Sequence, residues 1–115
     1  MIDARALVLL DQMRLASLDA LTFVEGISKA EFIKDKRTQQ AVVMSLVVIG
    51  ECATKMMDRY ADIAAANPKI GWRSMRGMRN RIAHGYFEIN LELVWETVQT
   101  ELPLLVSQLA VLLTI

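Results

Sequence analysis

Apolar residues recur along this chain at the three- and four-residue spacing of helices. Leu7, Leu10, Leu15, Leu18 and Leu21 mark a first helix over about Asp3 to Val24, and Gly26 ends it. Ser28-Lys29-Ala30-Glu31 has the capping-box pattern, in which the serine and the glutamate each satisfy a free backbone N–H, so a short helix should run from there to Lys34. The charged run Lys34-Asp35-Lys36-Arg37 reads as a turn or a solvated helix start. A long helix follows over about Thr38 to Tyr60. Its first half, Ala41 to Ile49, is apolar on nearly every side, as expected of the most enclosed helix in a bundle. The β-branched residues there would also suit a buried strand, but no partner strand is visible and Glu51 to Tyr60 continue the helical pattern.

Asn67-Pro68 breaks the chain, a fourth helix is expected from Trp72 to His84, and Gly85 can terminate it. Asn90 is a good N-cap for a last helix ending near Leu113, with Pro103 inside it as an expected kink. The whole chain, 1–115, therefore reads as a single all-α domain, an up-and-down bundle of four to five helices.

Composition sharpens this picture at one point. Hydrophobic residues make up 54% of 115 positions. A domain this small must hide that material in a dense core or share it with a second subunit, and a homodimer doing both is expected. The uncharged stretches Thr38–Gly50 and Leu102–Ile115 fall short of the roughly 20 apolar residues of a spanning helix. The run Ala6–Leu10 is too short for a secretory signal and stops at Asp11. Cys52, the single cysteine, has no partner for an internal disulfide and reads as a small buried residue, and no Cys/His cluster offers a zinc site. A cytoplasmic protein without a metal or other cofactor is the expectation.

Charge is placed rather than abundant. Thirteen Lys+Arg balance thirteen Asp+Glu. Five of those cations (Lys69, Arg73, Arg76, Arg79 and Arg81) lie between Ile63 and Phe87, where there is no carboxylate, leaving eight to face all thirteen acids elsewhere. The same segment holds the single histidine, His84. An imidazole can take or give a proton near neutral pH, and guanidinium groups can hold an anionic oxygen, a pairing suited to a phosphodiester. On an ideal helix Arg73, Arg76, Asn80 and His84 share one face, with Met75, Met78 and Ile82 opposite. Asn80 is one turn before His84, within reach of its ring, whereas Arg79 is about 140° around the helix from His84. Taken alone, an imidazole at a helix C-terminus or a face of arginines needs no function beyond capping and solvation. Glu51, an acid within an apolar helix, either pairs with an arginine of the motif helix or faces solvent. Trp72 and Trp95 read as packing anchors.

Arg79, His84 and Tyr86 fit an R-x-x-x-x-H-x-Y pattern, and the flanks fit too: Ile49-Gly50-Glu51 on the long helix, Trp72 to Asn80 entering the motif, Leu91 to Trp95 and Leu102-Pro103 on the last helix. In these residues the chain resembles the HepT-like toxins, a branch of the HEPN ribonucleases. The resemblance implies a metal-independent endoribonuclease, homodimeric, with two motifs facing a shared cleft. It also implies a partner, a minimal nucleotidyltransferase antitoxin of the MntA type, which silences the toxin by transferring AMP to the motif tyrosine. Carried over by position, Arg79 and His84 are the catalytic pair, Asn80 is their polar companion and Tyr86 is modified. The family varies at position 81. The charge and placement of the residues themselves add Glu51 as support and Arg73, Arg76 and Arg81 as RNA-holding groups. A non-catalytic helical adaptor of a nucleotidyltransferase is the alternative. A lone histidine among arginines favours the nuclease.

Overall fold

The computed structural model describes residues 2–114, and the chain is helical through most of that length with no strand among the described residues. Helix α1 spans Ala4–Phe23, with the Asp3 carboxylate accepting from the Arg5 N–H at its start. Gly26, in the left-handed region at φ 79°, turns the chain. The capping box of Ser28 and Glu31 then opens α2, Lys29–Lys34. Helix α3 follows after one residue, Lys36–Arg59: Asp35 is its N-cap, accepting from the Thr38 N–H at 3.1 Å and the Thr38 hydroxyl at 2.6 Å. The charged run is therefore a helix start.

Helix α3 occupies the centre, antiparallel to α1 on one side and to α5 (Trp72–His84) on the other. Val42, Val43, Leu46, Ile49, Ala53 and Met56 are its buried face. By length and apolar content α3 is the one helix among the described residues that could cross a membrane, yet half of that window is already buried inside the bundle. Cys52 is buried on the α1 side, its sulfur 3.7 Å from the Gln12 side-chain oxygen, and burial pushes its thiol pKa up.

Three features depart from the sequence reading. A short helix α4, Ala61–Ala66, fills the segment before Asn67-Pro68. The Trp72 indole N–H donates to the carbonyls of Ala64 and Asn67, both at 3.1 Å, which ties that segment to the start of α5. After α5, Tyr86–Glu88 form a single 3₁₀ turn. The last helix is interrupted just before Pro103: α6 (Leu91–Glu96) runs into one wide π turn, Thr97–Glu101, and then into α7, Leu102–Leu113. A proline lacks the N–H of the ladder and crowds the carbonyl four residues back. Here the backbone takes that up one turn early, with the Leu102 N–H reaching the Thr97 carbonyl. The Thr97 and Thr100 hydroxyls donate to the Leu93 and Glu96 carbonyls at 2.8 and 2.7 Å. Beyond the turn Leu102, Leu105, Leu109 and Leu112 are buried and α7 packs against α1, while Leu104 and Val111 face outward. Trp95 packs on Phe32 with ring centroids 5.4 Å apart, closing the α2–α6 corner.

Candidate active site

Helix α5 presents three different faces. Trp72, Met78 and Ile82 are buried, with Met75 packed against the same core. Arg73, Asn80 and His84 are exposed together, on the face that the spacing assigned to them. Among the described residues the structure makes no hydrogen bond between Asn80 and His84, so the ring is not oriented in that way. His84 closes the helix, and the Gly85 N–H reaches back to the Arg81 carbonyl at 3.0 Å.

The third face carries Arg79, which turns away from His84 and against α3. Its Nη1 donates to Glu51 Oε1 at 2.7 Å and its Nη2 to the Thr54 hydroxyl at 3.2 Å. Thr54 in turn donates to the Gly50 carbonyl at 2.8 Å. The Arg79 Nε is buried with no hydrogen-bond partner. Glu51 thus takes the first of its two readings and pairs with the motif helix. The Glu51 side chain is 47% exposed and that of Arg79 23%. A pair so open to water adds about 1 kcal/mol of stability at most, so its main effect is orientation.

The close approach behind this contact depends on Gly50. A Cβ there would overlap Arg79 Cβ and lie 2.8 Å from the Met75 carbonyl oxygen. One turn on, Arg76 and Asp58 approach to 4.0 Å, a second and weaker clamp along the same seam. Arg76 is therefore partly neutralised by α3, whereas Lys69, Arg73 and Arg81 have no carboxylate within 4.0 Å among the described residues. Gly77 is the opposite case to Gly50: a Cβ added there would meet nothing within 4 Å.

Tyr86 sits two residues past His84, 40% exposed, with its ring edge-on to Phe87 at 5.7 Å, and Phe87 is 98% exposed. A pocket of about 360 Å³ opens beside His84 between α5 and α6, lined by Met78, Arg81 and Leu93 among others. Those three residues also line a neighbouring pocket of about 270 Å³ that reaches Lys69, so the two are adjoining parts of one groove. No three His, Cys, Asp or Glu side chains converge among the described residues.

The family model for ribonuclease HepT-like proteins matches residues 13–112, nearly the whole chain and every residue of this site. The chain belongs to the HepT-like ribonuclease family. It is an endoribonuclease by that membership. Among relatives, a Methanocaldococcus jannaschii protein named as an RNase, MJ0127, is 35% identical over 103 residues, covering 88% of this chain and 79% of its own. A Thermococcus cleftensis protein named as ribonuclease HepT is 35% identical over 81 residues, 70% of this chain and 71% of that one. A Caldanaerobacter subterraneus protein named as an RNase, TTE0752, is 35% identical over 85 residues, 74% and 73% of the two chains. No solved structure matches the chain.

Sequence reasoning placed His84, Asn80 and Arg73 on the exposed face, left Glu51 open between two readings, and grouped Arg76 with His84 although the structure turns it toward Asp58 on α3. It missed Thr54, whose role depends on the register between α3 and α5. A hydroxyl one turn after Glu51 was the only available signal.

Proposed function

We propose that this chain is the toxin of a toxin–antitoxin pair, a metal-independent endoribonuclease that acts as a twofold dimer in the cytoplasm. A minimal nucleotidyltransferase would silence it by placing AMP on Tyr86. The observation that carries the reading is the divergence of the two motif side chains. His84 stands on the outer face of α5, while Arg79 is held against α3 by Glu51 and Thr54. In one protomer they do not meet. A second copy approaching across the outer face of α5 would bring each imidazole to the other protomer's arginine.

Gly77 supports that geometry. A glycine inside a helix costs about 1 kcal/mol relative to alanine, and no intramolecular neighbour explains it. On the face of Arg73, Asn80 and His84, it leaves room for a closely crossing helix.

In the reaction, the imidazole of His84 takes the proton of an RNA 2′-hydroxyl. That oxygen attacks the adjacent phosphorus, the bond from phosphorus to the 5′-oxygen breaks, and the leaving oxygen takes a proton from the other copy's imidazolium. The products are a 2′,3′-cyclic phosphate and a 5′-hydroxyl. Proton transfer of this kind is worth about 10²–10⁴-fold per step. Arg79 and Arg73 stabilise the charge that builds on the phosphorane oxygens. Arg81 and Lys69, along the groove leading from His84, hold the flanking phosphates, with Arg76 contributing less because Asp58 competes for it. Tyr86 is exposed beside this site, so a bulky anionic adduct there would occupy the path of the RNA.

Mixing two inactive variants tests the reading. Arg79→Ala and His84→Ala each abolish cleavage of an RNA oligonucleotide. Heterodimers of the two bring one imidazole to the other chain's arginine but lack the second imidazole, so they regain measurable cleavage at a rate about 10²–10⁴-fold below wild type. Failure to recover any rate in verified heterodimers rules out the shared site. Cleavage by His84→Ala alone rules out the acid–base role of His84, and no cleavage by the wild type leaves the adaptor.

A further inference from the structure

The contact that holds Arg79 has a member that no motif contains. Thr54 lies on α3 one turn after Gly50, and its hydroxyl has two partners of opposite kind. It gives its proton to the Gly50 carbonyl at 2.8 Å and accepts from Arg79 Nη2 at 3.2 Å. Because the proton is committed to the helix backbone, an oxygen lone pair is left facing the guanidinium. Glu51 takes Nη1 at 2.7 Å, and the absence of a side chain at Gly50 lets the two helices come close enough for both contacts.

We infer that Thr54 is a positioning residue for the ribonuclease reaction: with Glu51 it fixes the plane of the Arg79 guanidinium and sets which of its N–H groups remain for the substrate phosphate.

Donor counting supports this. A guanidinium has five N–H groups in a rigid fork. One is given to Glu51 and one to Thr54, and that on Nε is buried without a partner. The two that remain, one on each terminal nitrogen, are the pair suited to a bidentate grip on a phosphoryl group. With Glu51 as the sole tether, the planar group would be free to pivot about the Nη1 contact. Thr54 supplies the second point and removes that freedom. An orphaned buried N–H costs stability, so a fold that keeps one here is holding the guanidinium in place at the expense of its own packing.

The inference rests on the nuclease reading, and its test separates the two. Thr54→Val keeps the shape and β-branching of the side chain and removes the hydroxyl; Thr54→Ser keeps the hydroxyl. On an RNA oligonucleotide, Thr54→Val lowers kcat about tenfold with KM within about twofold, the loss expected for one charge-assisted contact used in the transition state. Thr54→Ser restores kcat to within about threefold of wild type. In an Arg79→Lys background, Thr54→Val has no further effect on the residual rate, because the lysine has no second nitrogen to hold. A residue acting only on the fold would lower the rate by the same factor in both backgrounds. Nitrogen-resolved NMR gives a second readout: separate Arg79 Nη signals in the wild type, averaged in Thr54→Val. If Thr54→Val cleaves at the wild-type rate while His84→Ala is inactive, the inference falls and the nuclease stands. Equal losses in both backgrounds overturn it too. Should Thr54→Val fail to fold, Thr54→Ala, which also lacks the hydroxyl, takes its place in both the kinetic and the NMR comparison.

Discussion

Replacing Gly50 by alanine is the most direct probe of how the site is held, because two opposing effects can be sized beforehand. In a helix interior the change ordinarily stabilises by about 1 kcal/mol. At Gly50 the new methyl would overlap Arg79 Cβ, sit 3.1 Å from Arg79 Cγ and lie 2.8 Å from the Met75 carbonyl oxygen. The last is backbone and the first is fixed to it, so neither can swing aside. Relief requires α5 to move off α3, and forced overpacking of this kind costs about 1–3 kcal/mol. The balance is a net loss of about 0–2 kcal/mol. That is modest beside the total stability of a small domain, about 5–15 kcal/mol, so Gly50→Ala should still fold. Its activity should suffer more. A displacement of α5 by a fraction of an ångström is enough to lengthen the 2.7 Å and 3.2 Å contacts from Arg79 to Glu51 and Thr54. Catalysis is sensitive to misplacement at that scale, and a fall in kcat of about 10²-fold is expected. Urea unfolding gives the stability, and cleavage of a labelled oligonucleotide gives the rate. A Gly50→Ala protein more stable than wild type, or one with an unchanged rate, would refute the close helix contact and the reasoning built on it.

Other outcomes can be set beside it. Gly77→Ala, with open space around the new methyl, should stabilise the isolated protomer by about 0.5–1 kcal/mol while weakening self-association, which thermal unfolding and sedimentation can measure separately. Undiminished association would place the dimer contact elsewhere than the outer face of α5. Since Lys69, Arg73 and Arg81 have no carboxylate within 4.0 Å among the described residues, RNA binding should weaken with salt at a logarithmic slope of about −2 per protomer, and Arg81→Ala should reduce that slope by about 0.7. Hydrogen bonds from the Thr38 hydroxyl and the Thr38 N–H hold the Asp35 carboxyl below its ordinary value of 3.8. A depressed carboxylate stabilises the fold above its unfolded pKa and loses that contribution as pH falls through the folded value. The wild type should therefore lose thermal stability below about pH 4 more steeply than Asp35→Asn, which keeps a capping side chain but does not titrate.

How much of this was legible in the sequence depends on whether the cause was local. Helix α2 was readable from Ser28 and Glu31 because both ends of the capping box lie within four residues. The buried stripe of Met78 and Ile82, and the exposed one of Asn80 and His84, follow from helical periodicity. Helix α4 was not readable: Ala61–Ala66 has no side-chain hydrogen bond at its N-cap and is tied down by an indole eight residues after Ala64. The π turn was foreshadowed by Pro103, but its placement one turn earlier depends on which face α7 must turn toward α1. Thr54 and Asp58 were invisible for the same kind of reason. Their partners lie 25 and 18 positions away, and the register of α3 against α5 is a property of the packed bundle.

The seam at Gly50 also bears on heredity. A lineage under pressure to lose this cleavage has an obvious target in His84, yet the stripe of α3 that begins at Gly50 and continues through Glu51 and Thr54 is a larger one. Any side chain that thickens or unties it mis-sets the arginine and leaves an intact, well-behaved globule. Inactive copies collected from a survival screen should therefore cluster on a helix with no residue in the R-x-x-x-x-H-x-Y pattern.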